Sequence, residues 1–286
     1  MKKTAYFFSS FLPFLTAVSI QFIASFYMAG IAMFSILCSG RQQGLRSSLT
    51  TLLSNTEFNA CLMVIYSIIC ILLFGTFYYS NLGGNFLPNV KRTFHPLQFL
   101  GVVILVPGAQ FACGLITTVV SSIVPAWLEQ YQKLLEQSGL NNEALGLMLL
   151  LYSVLLGPIC EELIFRGVTL RLARKALPFW FANLLQAILF GAYHMNWIQG
   201  IYAFAFGLLL GYVCEKGGSI YLSILLHILF NFWGTVIGPM LENVKDSLLV
   251  SLMILGGTLL SLAGGMTLFY LGTWRKKLKN RSHGPA

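Results

Sequence analysis

One stretch of the sequence, GPICEELIFRG at residues 157–167, places two adjacent carboxylates at the end of a long apolar run. Arg166 follows Glu162 by four residues, which is about one turn of a helix. An ionisable side chain at membrane depth costs about 2.5 to 3.5 kcal/mol on insertion scales. If this run spans a membrane, three such side chains together indicate a functional site.

The composition is that of a membrane protein. Of the 286 residues, 57% are hydrophobic and only 9% are charged, whereas soluble domains carry about 25% charged residues. The six cysteines lie in or beside apolar runs without paired spacing, so we interpret them as small apolar residues and not as disulfide partners or metal ligands. We therefore predict an all-α, polytopic bundle of about eight transmembrane helices.

Eight segments are candidate spans, because each approaches the length of about 20 apolar residues that crosses a bilayer. The third contains Pro107-Gly108, which predicts a kink whose freed backbone groups are satisfied by neighbouring helices. The fifth and sixth are short and closely linked. The eight segments are residues 5–38, 58–80, 97–125, 144–170, 179–195, 200–214, 219–238 and 248–274.

The basic residues predict how the chain is oriented. The net charge of +9 is spread over short clusters between apolar segments, which argues against a nucleic-acid-binding surface and is typical of membrane orientation. We predict that both termini are cytoplasmic, because most lysines and arginines of the short loops then lie inside. Only four basic residues fall outside in this arrangement: Arg41, Arg46, Lys133 and Lys245.

Residues 127–136, between the third and fourth spans, predict a helix that does not cross the membrane. Their apolar side chains recur with helical spacing and their charged side chains lie on the other face. An amphipathic helix of this kind lies in the membrane interface, here on the outer side. A partner-binding motif is the alternative.

The two glutamates of the opening stretch are expected to serve different partners, because adjacent side chains of a helix point about 100° apart. Glu162 and Arg166 share a face, and we assign them to a buried ion pair that lowers the cost of both charges. Glu161 is then left to face a cavity. The alternative is that all three residues form a structural clamp between helices.

Two histidines are the other ionisable residues within the candidate spans. His194 follows FGAY at residues 190–193, and His227 begins HILFN, so that Asn231 lies one turn later. A carboxylate and an imidazole can together polarise a water, and a histidine with an asparagine can stabilise the oxyanion of acyl transfer. Glu161, His194 and His227 are also acceptable zinc ligands, although the HExxH spacing is absent.

These motifs resemble, in type and order, the signature of the CPBP family of intramembrane proteases. The family includes the type II CAAX prenyl endopeptidases and bacteriocin-processing or immunity proteins. The resemblance covers residues 145–236 and implies an eight-span fold with a water-filled cavity open to the cytoplasmic side. The motifs that carry it are E-E-x-x-x-R at Glu161, Glu162 and Arg166, F-x-x-x-H at Phe190 and His194, and H-x-x-x-N at His227 and Asn231.

The resemblance also implies roles for these residues. Glu161 and His194 would activate a water, His227 with Asn231 would form the oxyanion site, and Glu162 and Arg166 would support them. Residues 144–238 would form the catalytic core, between an N-terminal transmembrane region with the outer interfacial helix (1–143) and a last span with a basic cytoplasmic tail (239–286). We expect a glutamate mechanism without a cofactor, with a divalent metal such as zinc on Glu161, His194 and His227 as the alternative.

The resulting prediction is an intramembrane endopeptidase of a bacterial cell membrane. Its partners would be membrane lipids and a peptide or membrane-anchored protein substrate, and nucleic acid is not among them. A non-catalytic immunity or peptide-binding protein on the same fold is the main alternative. A proton-coupled transporter would also use intramembrane glutamate and histidine, but the sequence lacks the inverted repeats with broken helices that many transporters show.

Overall fold

The computed structural model describes residues 2–38, 55–83, 95–139, 146–241 and 247–282, and these residues are helical almost throughout. The predicted all-α bundle is confirmed. Arg41, Arg46 and Lys245 of the predicted orientation lie outside the described residues. The helices are α1 (Lys2–Ser9), α2 (Leu12–Cys38), α3 (Thr56–Asn81), α4 (Pro96–Ile123), α5 (Pro125–Ser138), α6 (Leu147–Ala176), α7 (Phe179–Tyr193), α8 (Trp197–Gly217), α9 (Ile220–Leu241) and α10 (Leu248–Ser282).

Seven helical segments of the described chain are long and apolar enough to cross a membrane. The exception among the eight predicted spans is the fifth, which forms the 15-residue helix α7. At 1.5 Å per residue α7 is about 22 Å long, whereas the hydrocarbon core of a bilayer is about 30 Å thick. A helix that starts at one face and has this length ends within the hydrocarbon layer, so its last residues lie at membrane depth.

Helices α4 and α10 pack backbone against backbone. A Cβ atom on Gly101 would lie 2.6 Å from the Phe269 backbone nitrogen and 2.7 Å from the Gly265 oxygen, and one on Gly265 would lie 2.9 Å from the Gly101 oxygen. About two helical turns after Gly265, a Cβ atom on Gly272 would lie 2.6 Å from the Gln98 backbone nitrogen. Small residues allow membrane helices to approach closely, and here no larger side chain fits.

Helix α4 continues through Pro107, and a side chain of α10 forms hydrogen bonds to the α4 backbone beside this proline. The Gly108 N–H donates to Ser261 Oγ at 2.9 Å, and the same hydroxyl donates to the Ile104 carbonyl. Ser261 is therefore inserted between the donor and the acceptor that would otherwise be joined within the helix. This is the satisfaction by neighbours that Pro107-Gly108 predicted.

We expect Ser261→Ala to lower the free energy of unfolding by about 0.5 to 1.5 kcal/mol, the net contribution of a hydrogen bond, because the hydroxyl that bridges the Gly108 N–H and the Ile104 carbonyl is lost. Denaturation of the purified protein in mixed micelles measures this. Ser122→Ala is the control, since the Ser122 hydroxyl is exposed and donates at 2.7 Å to Val119 of its own helix. Equal stability of the two variants would contradict the inserted hydroxyl.

The amphipathic segment forms the predicted helix, α5. Its charged side chains, Glu129, Lys133 and Glu136, are exposed. Its aromatic side chains pack on the beginning of α8: the rings of Trp127 and Trp197 stack with centroids 5.3 Å apart. Tyr131 and Tyr202 are joined through their hydroxyl groups at 3.2 Å. Helix α5 therefore covers the end of the bundle where α7 stops and α8 begins.

Candidate active site

The two glutamates lie in an α-helical turn between two π-helical turns of α6. The turn Gly157–Glu162 is preceded by the π-helical segment Leu151–Leu156 and followed by Leu163–Thr169. A π-helical turn shifts every following side chain relative to a regular helix and is frequent at functional sites. The local backbone of α6 is therefore specialised where the charges are concentrated.

The predicted ion pair between Glu162 and Arg166 is present. Arg166 Nη1 donates to Glu162 Oε1 at 2.8 Å, and both side chains are fully buried. Arg166 Nη2 donates to the Gly207 carbonyl at 3.2 Å. The guanidinium carbon also lies 4.3 Å from the centre of the Phe190 ring, a cation–π contact that further compensates the buried charge.

His227 of α9 contacts both glutamates. Its Nδ1 lies 2.9 Å from Glu162 Oε1, and its Nε2 lies 3.5 Å from Glu161 Oε2. The expectation that the two glutamates serve different partners is therefore wrong. Their side chains do diverge, but the two nitrogens of one imidazole also point in different directions, so a single ring from a neighbouring helix reaches both.

The contact with Glu162 fixes the tautomer of His227. Glu162 is paired with Arg166 and is therefore a carboxylate, which only accepts hydrogen bonds. Nδ1 of His227 must then carry a proton. In the neutral ring Nε2, which faces Glu161, is the unprotonated nitrogen.

His194 follows the last residue of α7, and its side chain bonds back to that helix. Its Nδ1 lies 2.9 Å from the Phe190 carbonyl, which can only accept, so Nδ1 donates and Nε2 is unprotonated in the neutral ring. The next residue, Met195, has a φ of 51°. This left-handed conformation is uncommon for a residue other than glycine and is found at functional sites.

Phe190 joins the two histidines. Its ring centroid lies 5.0 Å from that of His194 and 5.8 Å from that of His227, in both cases edge to face. His227 in turn contacts Glu161. Glu161, His194 and His227 therefore belong to one cluster, which Phe190 backs from the protein interior with 1% of its surface exposed.

The two glutamates differ in their access to solvent. The side chain of Glu161 is 13% exposed, whereas that of Glu162 is fully buried. Glu161 is therefore the carboxylate of the pair that a water molecule can reach.

Asn231 of α9 forms a hydrogen bond to the backbone of α6. Its Nδ2 donates to the Ser153 carbonyl at 2.8 Å, within the first π-helical turn. One amide proton of Asn231 is used by this bond, which ties α9 to α6 one turn beyond His227. The assignment of Asn231 to an oxyanion site stays a prediction.

Two buried amides of α7 also belong to the site, and the sequence analysis did not identify them. Gln186 Nε2 donates to the Gly207 carbonyl at 2.9 Å and to Asn183 Oδ1 at 2.8 Å. Asn183 Nδ2 in turn donates to the Leu208 carbonyl at 3.0 Å. The Gly207 carbonyl thus accepts from both Gln186 and Arg166. The sequence signal was a pair of amides three residues apart on an apolar helix.

Two features of this cluster bear on metal binding. Both imidazoles donate their Nδ1–H to an oxygen, as metal-bound histidines commonly do. However, no three His, Cys, Asp or Glu side chains in the described part of the chain are grouped so that they could hold a metal ion. The alternative of a divalent metal on Glu161, His194 and His227 stays a prediction, and we derive no chemical step through one.

Comparisons with known proteins identify the segment that contains this site. Residues 143–233 match a family model described as type II CAAX prenyl endopeptidase Rce1-like. Over 106 residues the chain is 28% identical to the Bacillus subtilis (strain 168) protein named "Putative membrane peptidase YdiL". No solved structure matches the chain.

The coverage of these matches is partial. The alignment with the Bacillus subtilis protein covers 37% of this chain and 42% of that protein, so the match spans less than half the length of either. The segment matched by the family model nevertheless contains every residue of the three motifs. The resemblance to the CPBP family is thereby confirmed.

Proposed function

We propose that this protein is an intramembrane endopeptidase that hydrolyses a peptide bond with a water activated by Glu161 and His194. The observation that carries the proposal is His227, which is held by the buried Glu162 and directed at the more accessible Glu161. Placing a guanidinium, two carboxylates and an imidazole in contact at membrane depth costs free energy. Groups placed there at such a cost indicate a function. The family match of residues 143–233 supports the same reaction class.

Glu161 is the general base of the proposed reaction. Its carboxylate accepts a proton from water as the water oxygen bonds to the carbonyl carbon of the scissile peptide. His194 orients this water through Nε2, which is the accepting nitrogen because Nδ1 donates to the Phe190 carbonyl. General base catalysis by a positioned group contributes about 10²- to 10⁴-fold in rate.

His227 and Asn231 stabilise the oxyanion that forms on the carbonyl oxygen. His227 donates to this oxygen from Nε2 in its protonated form, because Nδ1 is held by Glu162. Asn231 contributes the amide proton that Ser153 does not use. Preorganised donors of this kind act strongly where water is excluded.

Collapse of the intermediate completes the reaction. The C–N bond breaks, and the proton that Glu161 took from water passes to the leaving amine. The products are a new carboxyl terminus and a new amine, and Glu161 returns to its ionised form. Every proton is accounted for without a metal or another cofactor.

The proposed orientation has both termini in the cytoplasm of a bacterial cell. Basic side chains from separate helices gather at one end of the bundle, where Lys175 Nζ lies 4.9 Å from the Tyr6 ring and Lys216 Nζ lies 5.0 Å from the Phe179 ring. Lys276 Nζ donates to the Gly217 carbonyl at the same end. Accumulated positive charge is typical of the cytoplasmic face. A membrane-anchored peptide or protein is the proposed substrate.

Cleavage of a library of membrane-anchored peptides by the purified protein tests this function. We expect wild type to release defined fragments, seen by mass spectrometry, and His194→Ala to lose about 10²-fold or more in rate because the water loses its orienting group. A chelator should leave wild-type cleavage unchanged. His283→Ala, in the basic tail, is the matched control.

Two outcomes would change the proposal. Equal cleavage by wild type and His194→Ala would remove His194 from the reaction. Cleavage that a chelator abolishes and zinc restores would show a metalloprotease.

A further inference from the structure

A cavity lies at the basic end of the bundle, where the end of α3, the last turns of α6 and the end of α8 meet. Its volume is about 300 Å³. Neither Glu161 nor either histidine of the candidate active site lines it. The lining residues that carry charge are Arg166, Arg171, Arg174, Lys175 and Glu215.

The charge of this cavity is not balanced by the side chains around it. Arg166 is paired with Glu162 at 2.8 Å and Arg174 with Glu215 at 3.0 Å. Among the residues that the structure describes, neither Arg171 nor Lys175 has an acidic partner within 4.0 Å. The cavity therefore presents two uncompensated positive charges, which an anion would neutralise.

Arg171 is held rigidly at the edge of this cavity. Its Nη1 donates to the Leu82 carbonyl at 3.0 Å and its Nη2 to the Tyr78 hydroxyl at 2.9 Å. A guanidinium has five N–H donors in a fixed plane, so three remain for a ligand. Deeper in the cavity wall, Nε of the fully buried Arg166 has no hydrogen-bond partner among the described residues.

The surroundings place this cavity at the depth of lipid headgroups. Trp180 and Phe181, at the start of α7, are each 64% exposed, and exposed aromatic residues are enriched at the membrane interface. Arg174 of α6 lies 5.9 Å from the ring of Phe179, which is in the same turn of α7 as Trp180 and Phe181. Leu82 and Leu170 give the cavity an apolar wall. A ligand with an anionic head and an apolar body matches this combination.

We propose that this cavity binds the phosphate group of an anionic phospholipid. Basic pockets between transmembrane helices at the cytoplasmic side are suited to such headgroups. Arg171 and Lys175 would contact the phosphate, and the acyl chains would extend along the lipid-facing surface beside Trp180. The cavity shares Arg166 with the candidate active site, but Arg171 and Lys175 take no part in the proposed hydrolysis.

Thermal unfolding of the full-length protein in a zwitterionic detergent tests this site. We expect short-chain phosphatidylglycerol to raise the Tm in a saturable manner and phosphatidylcholine to leave it unchanged. Lys175→Gln should weaken the apparent affinity for phosphatidylglycerol about fivefold, since one basic residue near a membrane surface contributes about that factor. Lys175 makes no hydrogen bond to a described residue, so this variant is expected to fold. Arg171→Gln should weaken the affinity further.

Lys133→Gln is the matched control, because it removes the same charge from the exposed face of α5 at the other end of the bundle. An equal loss of affinity in Lys133→Gln and Lys175→Gln would overturn the site in favour of general electrostatic attraction. Equal stabilisation by phosphatidylcholine would overturn the requirement for an anion. Saturation by inorganic phosphate at the same concentration as phosphatidylglycerol would show that the cavity binds a free anion and not a lipid.

Discussion

Glu161→Gln is expected to lower the rate of peptide cleavage by about 10²- to 10⁴-fold, which is the contribution of a positioned general base. Glutamine has the shape of glutamate but accepts no proton from water. Its amide can retain the contact that Glu161 Oε2 makes with His227 Nε2 at 3.5 Å, so the Tm should stay close to that of wild type. Initial rates of fragment release and thermal unfolding measure the two effects on the same preparation.

Glu136→Gln serves as the control for this substitution, because Glu136 is exposed on α5 and has the same change of charge. It should retain the wild-type rate. If Glu161→Gln cleaved as fast as this control, Glu161 would not be the base. If its rate fell while a cellular phenotype of the protein persisted, the phenotype would come from binding and not from hydrolysis, as the alternative of a peptide-binding protein predicts.

Glu162→Ala is expected to produce the largest loss of stability, about 3 to 5 kcal/mol, because it leaves the charge of Arg166 buried and unpaired. The same substitution removes the acceptor of His227 Nδ1, so any protein that folds should also be inactive. Unfolding by denaturant in mixed micelles gives the free energy. Equal stability of Glu161→Gln and Glu162→Ala would show that the roles of the two glutamates have been divided wrongly.

Two further variants separate burial from charge. Glu215→Ala breaks a similar pair with Arg174, but these side chains are 31% and 34% exposed, so the expected cost is at most about 1 kcal/mol. The double variant Glu162→Met with Arg166→Met replaces the buried pair by apolar side chains, and we expect it to recover most of the stability. It should stay inactive, since His227 still lacks its acceptor.

The parts of the site that could be predicted from the sequence are those set within one helix. The ion pair of Glu162 and Arg166 follows from four-residue spacing, and the three motifs indicate which polar residues matter. The contact of His227 with both glutamates could not be predicted in this way. It depends on how α9 is rotated and tilted against α6, which is determined by packing of both helices with their neighbours.

The fold shows the same division. Apolar length predicts the membrane helices, yet it does not predict that α7, which ends just before His194, is too short to span. The insertion of Ser261 into α4 depends on a contact between helices distant in sequence, and the spacing of apolar residues does not indicate the π-helical turns around Glu161. Asn183 and Gln186 carry no charge. The criterion of an ionisable residue within an apolar span, which indicates the glutamates, therefore does not select them.

The inserted Ser261 has a consequence for how the protein is made. Ser261 follows Gly108 by 153 residues, which at about 5 to 20 residues per second takes the ribosome about 8 to 30 s to synthesise. During that interval the Ile104 carbonyl and the Gly108 amide have no final partner. The glycine surface of α4 that receives Gly265 also stays uncovered. Packing of α4 is therefore completed only after α10 has been synthesised, and a nascent chain stalled before α10 would leave this surface of α4 exposed.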